Sequence, residues 1–486
     1  MTKLELPSSD EIRKLYQAGE EPVVVAFEQL VAVIRQLEQR VQSLEDQLAK
    51  KSHNSSKPPS SDGYGRGRKR SLRQSSGRKV GGQAGHEGQT LQAVAEPDER
   101  QVHRVERCAH CQQGLDDVTS CGTERRQVFD VPPVRLVVTE HCAESKRGPA
   151  CGQLTKAAFP TGVTQAAQYG PHFQAQLVYF HQYHHLPIER TCEIVADLYG
   201  QAVSAATILA ACTRVAQPIE PVVQAIRDTL VDTAVPVHLD ETGARVAGKL
   251  HWIHVASTTH LTYLECSAYR GRKAHAEIGI LPLRSGVVVH DDYPAYFIYP
   301  QLRHVTCNAH HLRDLRFLEE RYALPWAHDL AVLLIEIKQA VATAQQAGQL
   351  ALTAAQLTTF TTCYQTLLQQ GEAAHPRQPA PVPKRGKPKQ SPATNLLTRL
   401  RTYQSAILSF MTDFTLPFDN NLAERDLRTV KLKQKVAGCF RTRAGATCFC
   451  LLRSYIATVR KHHRSVLDAL VDAFAGSPFF PPALAE

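Results

Sequence analysis

From Phe27 onward the large apolar residues stand at Phe27, Leu30, Ile34, Leu37, Val41, Leu44 and Leu48, an alternation of three and four with polar residues between. That is the period of a coiled-coil seam. With Phe27, Ile34, Val41 and Leu48 at a and Leu30, Leu37 and Leu44 at d, it predicts a parallel two-stranded coil over 22–51 and a homodimer or higher oligomer. The alternative is an amphipathic helix packed on its own chain. The pattern stops at KKSHNSSKPPSSDGYG, where Pro58, Pro59 and a Ser/Gly-rich run predict a basic flexible linker over 52–90. Helical periodicity returns over 165–230. There a helix ending at Tyr199-Gly200, a short turn and a new helix capped near Ser204 have helix-turn-helix proportions. Only Thr207, Thr213 and Arg214 are polar readers on the second helix, so a structural helical pair is an equal alternative. His184 and His185 are expected at a helix end.

After Thr233 the texture changes to strands: VPVHLDETGARV, LHWIHVAS and LTYLECS in quick succession, as in an antiparallel meander. The helical stretch RGRKAHAEIGIL leads to GVVVHDDY, and YPAYFIYP leads to RHVTC. The order is βββαβαβ, then α, which is an α/β core with a mixed sheet over 233–308 and 414–465. Residues 309–413 lack strand signals and read as a large helical insertion. The helix that follows is PFDNNLAERDLRTVKLKQK, residues 417–435.

A chain of 486 residues is too long for one core, so two to four domains are expected. Lys and Arg total 56 against 46 Asp and Glu, a net charge of +10, and the excess is blocked. Residues 64–79 hold Arg66, Arg68, Lys69, Arg70 and Arg73 among seven cations and no acid. Residues 425–443 hold seven more, including Arg425, Arg428, Lys431 and Lys435, against Asp426 alone. Two separate basic blocks favour a nucleic-acid partner over a solvated face. The 13 mostly isolated cysteines suit a reduced compartment, and neither a signal peptide nor a membrane span is written in the sequence. A cytoplasmic protein is expected.

Within 91–160, Cys108-x-x-Cys111 has the form of one zinc-ribbon knuckle. Zinc needs four ligands. The second knuckle offers Cys151 with Gly148 where its partner would stand. Cys121, His141 or Cys142 would complete a Zn²⁺ site, and a ribbon that folds without metal is the equal alternative.

The carboxylates carry the chemistry. Asp240 is expected to end the first strand and Asp291 the strand after the crossover, so both emerge at one edge of the sheet. Carboxylates forced together repel unless a hard cation sits between them, which suits Mg²⁺ or Mn²⁺. Glu424 is either a third such acid or half of a solvent pair with Arg428. Two metal ions about 3.5–4 Å apart would activate a water or 3′-hydroxyl and stabilise the leaving oxygen of a phosphodiester. Arg428, Lys431 and Lys435 share the face of Glu424 and would hold the phosphate backbone. Asp292 is the competitor for the role of Asp291, and Asp419 reads as a helix N-cap. Glu241 is expected on the face opposite Asp240. Cys307 followed by His310 and His311 invites a zinc reading, but Cys307 is expected in the core, with His310 and Arg313 as substrate-positioning groups and plain structural roles as the equal alternative.

HLDETG, VVVHDDYPAY, CNAHHLRDL and PFDNNLAERDLR with KQKVAGCFRT, in that order, resemble transposases of the insertion sequence 66 family. The resemblance extends to the N-terminal coil, the NSSKPPSSD linker, the degenerate zinc ribbon and YGP with HLPIER. It implies a ribonuclease-H-like catalytic core with an Asp, Asp, Glu triad matched by Asp240, Asp291 and Glu424. It also implies binding of the element's terminal inverted repeats, strand cleavage, joining to target DNA, and companion element-encoded proteins. A nucleoid-associated enzyme is expected. The alternative is a catalytically inactive DNA-binding or regulatory protein derived from such a transposase. Gly148 is the clearest departure from the family pattern.

Overall fold

The computed structural model of the chain describes residues 8–51, 53–55, 90–132, 134–377 and 390–482. They form two compact units. The larger holds Met1–Lys69, Gln165–Glu193 and Val203–Glu486, the smaller Arg70–Thr164 and Ile194–Ala202.

Helices α1 (Ser9–Gln17) and α2 (Glu20–Ala49) come first, then strands β1 (Ser145–Arg147) and β2 (Leu154–Lys156). Helix α3 (Pro171–Val178) continues into a π-turn over Tyr179–Tyr183, followed by α4 (Ile188–Tyr199) and α5 (Ala205–Asp232). Next are β3 (Val237–Val246), β4 (Lys249–Ser257), β5 (Thr262–Ser267), α6 (Arg272–Ile278), α7 (Ile280–Leu283), β6 (Gly286–His290) and β7 (Leu302–Thr306). Helices α8 (Asn308–Tyr322), α9 (Pro325–Gln346), α10 (Ala354–Ala374), α11 (Pro392–Thr402) and α12 (Gln404–Leu408) occupy the expected insertion. The chain closes with α13 (Asn421–Ala437), α14 (Arg443–Lys461) and α15 (Val466–Phe474).

Five strands form one mixed sheet in the order β5-β4-β3-β6-β7. β3 and β4 turn through Ala247 and Gly248, whose φ angles of 48° and 76° are those of a tight hairpin turn. β6 runs parallel to β3, and β7 parallel to β6. The crossover into β6 is helical, as expected. The one into β7 is not: among the described residues, the expected helix is a run of turns, with Tyr296 N–H bonded to Tyr293 O at 3.1 Å and Phe297 N–H to Pro294 O at 3.2 Å. Pro294 and Pro300 leave too little uninterrupted chain for a helix, and Tyr296 is instead buried.

One face of β3, β4 and β5 packs Ala244, Val246, Ile253, Val255 and Leu264 against Ala423, Leu427 and Val430 of α13 and Phe449 of α14. The free edge of β5 is closed by side chains of α14: Ser454 Oγ accepts the Leu264 N–H at 2.8 Å and Thr458 Oγ1 the Thr262 N–H at 3.1 Å. Helices α8 to α12 share a core with Val289 of β6 and Val305 of β7, so the insertion is built onto the β7 side of the sheet. α5 buries Ile208, Cys212, Val215, Ile219, Ile226 and Leu230 along its length, the profile of a core helix. Arg214, expected as a polar reader, donates to Gln174. Buried Arg284 donates to the carbonyls of Leu230 and Thr233 at 2.9 and 2.8 Å, closing the C-terminus of α5 just before β3 begins. No helix among the described residues is long and apolar enough to cross a membrane.

α2 is one continuous helix. Its foot docks on α8, where Arg321 Nη2 meets Glu45 Oε2 at 2.6 Å. Further up, Phe27, Ile34, Leu37 and Val41 stay exposed, and at the foot itself Leu48 is 81% exposed. In the smaller unit, Cys108 N–H bonds to Gln113 O at 2.9 Å and Gln112 N–H to Cys108 O at 3.0 Å. Gly148 N–H to Gln153 O at 2.9 Å and Gly152 N–H to Gly148 O at 2.8 Å repeat that turn between β1 and β2. Gly148 therefore stands where the first turn has Cys108, and Cys151 where it has Cys111.

Candidate active site

The β3–β6 ladder pairs Val237 with Val288 and His238 with Val289, an offset of 288 − 237 = 51. Asp240 and Asp291 are separated by the same 291 − 240 = 51, so they stand level on neighbouring strands just past the last paired residues. The sequence expectation that Asp240 ends its strand is not met. Asp240 is the fourth residue of β3, which runs on to Val246 because β4 keeps pairing with it. Burial, with repulsion from Glu241 and Asp291, holds the Asp240 carboxyl well above the usual range, and Glu424 adds to the effect. Burial and Glu241 push Asp291 up to about 6.

Glu424 lies in the first turn of α13, beside the apolar row Ala423, Leu427 and Val430 that packs on the face of β3 bearing Ala244 and Val246. Alternation puts Asp240 on that same face. Glu424 Oε1 is buried without a hydrogen-bond partner; His310 Nδ1 is 3.8 Å away and Arg313 Nη2 3.7 Å. Burial raises its pKa, while Arg313 and then Arg428 draw it down. Its cationic partner, Arg313, thus comes from α8, and Arg428, one turn along, is exposed. Burial and the nearby Arg313 push His310 down to about 3, so its ring is neutral near pH 7.

Asn420 ties the carboxylates together. Its Nδ2 donates to Leu239 O at 2.7 Å, its Oδ1 faces His238 Nδ1 at 2.9 Å, and its backbone N–H reaches Cys307 Sγ at 3.1 Å. One buried side chain so joins the residue before Asp240 to the residue before α13. The helix N-cap is Asn420 and not Asp419, which takes the Asn421 N–H at 3.1 Å from one residue further out. Asp292 faces away from the pair: its Oδ2 lies 2.8 Å from His311 Nε2 and 2.9 Å from Arg399 Nε. Burial alone would raise Asp292, but His311 and Arg399 outweigh it and hold the carboxyl at about 2. Glu241 is buried on the opposite face, as expected, paired with Arg270 Nε at 2.7 Å and accepting from the Tyr296 hydroxyl. Arg270 in turn lies over the rings of Trp252 and Tyr293. Reading the sequence missed these roles of Asn420, Asp292 and Glu241. The only hints were the doubled acids in HLDE and HDDY and the paired asparagines of PFDNN.

The family model described as transposase IS66 family matches residues 166–448, more than half of the chain. The chain belongs to this transposase family. A model of a family of unknown function matches residues 4–92. No curated protein matches the chain.

For this transposase the expected DNA contacts divide. Arg66, Arg68, Lys69, Arg70 and Arg73 lie outside the described residues. Arg425, Arg428 and Lys435 are exposed on α13. Lys431 instead donates to Gly243 O at 3.0 Å, stapling α13 to β3. Asp426 pairs with Lys461 at 2.8 Å and accepts from Thr262 Oγ1 at 2.8 Å, which fastens the helix to β5 and α14.

Asp240, Asp291 and Glu424 are oxygen donors of the kind a hard divalent cation takes, but among the described residues their ligand atoms do not all lie within 4.8 Å of one another. Two carboxyls are held above their ordinary range by burial and repulsion, and the third keeps an orphaned oxygen. Cys108, Cys111 and Cys151 are not brought together: among the described residues, the one group of three ligand atoms within 4.8 Å is Cys307, His310 and Glu424. The physical reason is Gly148, which leaves the second turn with a single thiol. A Cβ built there would meet Cys151 Sγ at 2.7 Å, so Cys151 fills the space a second thiol would use.

Proposed function

We propose that the protein is a metal-dependent transposase of the Asp, Asp, Glu type, cutting DNA at the ends of its element and joining the freed 3′-hydroxyl to target DNA. The observation that carries this reading is the shared offset of 51, which sets Asp240 and Asp291 level on parallel strands, with Glu424 on the helix packed over that face. Counting only the five core strands in chain order, the sheet reads 3-2-1-4-5 with a helix laid over it, which supports the ribonuclease-H-like reading. An inactive regulator is less favoured, because this chain retains all three acids.

Asp240, Asp291 and Glu424 would hold Mg²⁺ or Mn²⁺. When bound, such ions supply activation of an attacking oxygen and stabilisation of the leaving oxygen. The chain's own residues do the positioning. Asn420 sets the distance between β3 and α13. Neutral His310 and cationic Arg313 orient Glu424 from α8. Arg425, Arg428 and Lys435 offer exposed charge to the phosphate backbone, and the block at 64–79 adds sequence-independent contacts. The exposed seam of α2 is the surface for a second copy, forming the coiled coil.

The test is Mg²⁺-dependent cleavage of element-end DNA. Asp240→Asn, Asp291→Asn and Glu424→Gln should each give folded, DNA-binding protein without cleavage. Near-normal cleavage by Glu424→Gln would return that residue to a surface role and break the triad.

A further inference from the structure

We infer that Cys307, His310 and Glu424 form a second cation site, selective for a soft or borderline divalent ion such as Zn²⁺ or Co²⁺, at the side of the acidic cluster. A thiol sulfur, an imidazole nitrogen and a carboxylate oxygen lie within 4.8 Å of one another there. The nitrogen and oxygen are 3.8 Å apart, and both atoms are buried with no hydrogen-bond partner. Zinc bonds of about 2.0–2.3 Å in a tetrahedron require ligand atoms roughly 3.3–3.8 Å apart. The nitrogen and oxygen already stand at the upper end of that spacing.

The ligands sit on rigid elements. Cys307 follows β7 directly and is the N-cap residue of α8, His310 lies in the first turn of α8, and Glu424 in the first turn of α13. Asn420, whose N–H meets Cys307 Sγ, holds the two helix starts together. The sulfur and nitrogen donors disfavour Mg²⁺, which takes oxygen ligands, so the two sites choose different ions. Binding displaces the Cys307 thiol proton to solvent, and the thiolate, imidazole and carboxylate leave a fourth position for water.

The two sites share Glu424. An ion held by Cys307 and His310 draws that carboxylate out of the acidic cluster, so Zn²⁺ inhibits Mg²⁺-dependent cleavage; this consequence rests on the proposed role of Glu424. The binding itself does not.

The test uses the full chain, stripped of metal and titrated with Co²⁺, whose thiolate bond gives a near-ultraviolet charge-transfer band. One equivalent should bind with that band. The band should vanish in Cys307→Ser, which keeps an acceptor for Asn420, and weaken in His310→Asn, but survive in Cys111→Ser/Cys151→Ser. A band unchanged in Cys307→Ser overturns the site. In the cleavage assay, each protein is compared with its own zinc-free rate, and Zn²⁺ should inhibit the native chain at much lower concentration than Cys307→Ser. A band lost in Cys307→Ser with no zinc inhibition of the native chain upholds the site and instead removes Glu424 from the catalytic reading.

Discussion

Asn420→Ala tests whether one buried amide sets the geometry of the acidic cluster. The side chain is 1% exposed and makes two hydrogen bonds, to Leu239 O at 2.7 Å and with His238 Nδ1 at 2.9 Å. Because Nδ2 is committed to a carbonyl, Oδ1 faces the histidine and His238 Nδ1 is the donor. Alanine leaves a buried carbonyl and a buried ring N–H unpaired. An unsatisfied buried group costs about 1–3 kcal/mol, and partial relaxation puts the pair at about 2–4 kcal/mol. A domain with roughly 5–15 kcal/mol of net stability survives that loss. Catalysis should suffer more, since a misplacement of about 1 Å costs on the order of 10²-fold in rate. Urea unfolding should therefore show a lowered midpoint with the protein still folded at 25 °C. Mg²⁺-dependent cleavage should fall steeply, with a higher Mg²⁺ requirement. Asn420→Asp, which sets an acceptor against the Leu239 carbonyl, should not rescue it. Unchanged unfolding and unchanged cleavage in Asn420→Ala would refute the clamp.

Asp292 is held at about 2 against an ordinary 3.8, so the unfolded chain takes its proton more readily than the folded one. Its stabilisation is complete above the ordinary value and lost as pH falls through about 2; Asp292→Asn should cost about 2–3 kcal/mol at pH 7, with the gap closing in acid, as read by urea midpoints across pH. Asp426→Ala removes the carboxylate from half-buried Lys461, which keeps the carbonyls of Thr258 and Leu261 at 2.8 and 2.9 Å, and should cost about 1–3 kcal/mol, whereas replacing both by apolar residues should cost less in the same measurement. Ile34→Lys with Leu37→Lys should dissociate the assembly, read as a lower mass by light scattering; an unchanged mass would mean the seam is not the interface.

Periodicity and motif order made much of this protein legible in its sequence. Strand and helix periods are local properties, so the meander, the helical crossover, the long N-terminal helix and the helical insertion could be read from neighbouring residues. The distance of 51 between Asp240 and Asp291 was also present in the sequence, but it acquires meaning only as the register of two parallel strands. What the tertiary structure alone decided involves partners far apart along the chain. Adjacent Asp291 and Asp292 point to opposite fates because His311 and Arg399 claim the second. Lys431, one cation among seven in its block, is occupied by Gly243, a residue 188 positions earlier. Cys108, Cys111 and Cys151, which motif spacing grouped, stay unassembled, while Glu424, which spacing did not group with Cys307 and His310, converges on them. Spacing along a chain encodes the face of one element; which faces meet depends on packing between elements, where burial and repulsion set what each charge can do.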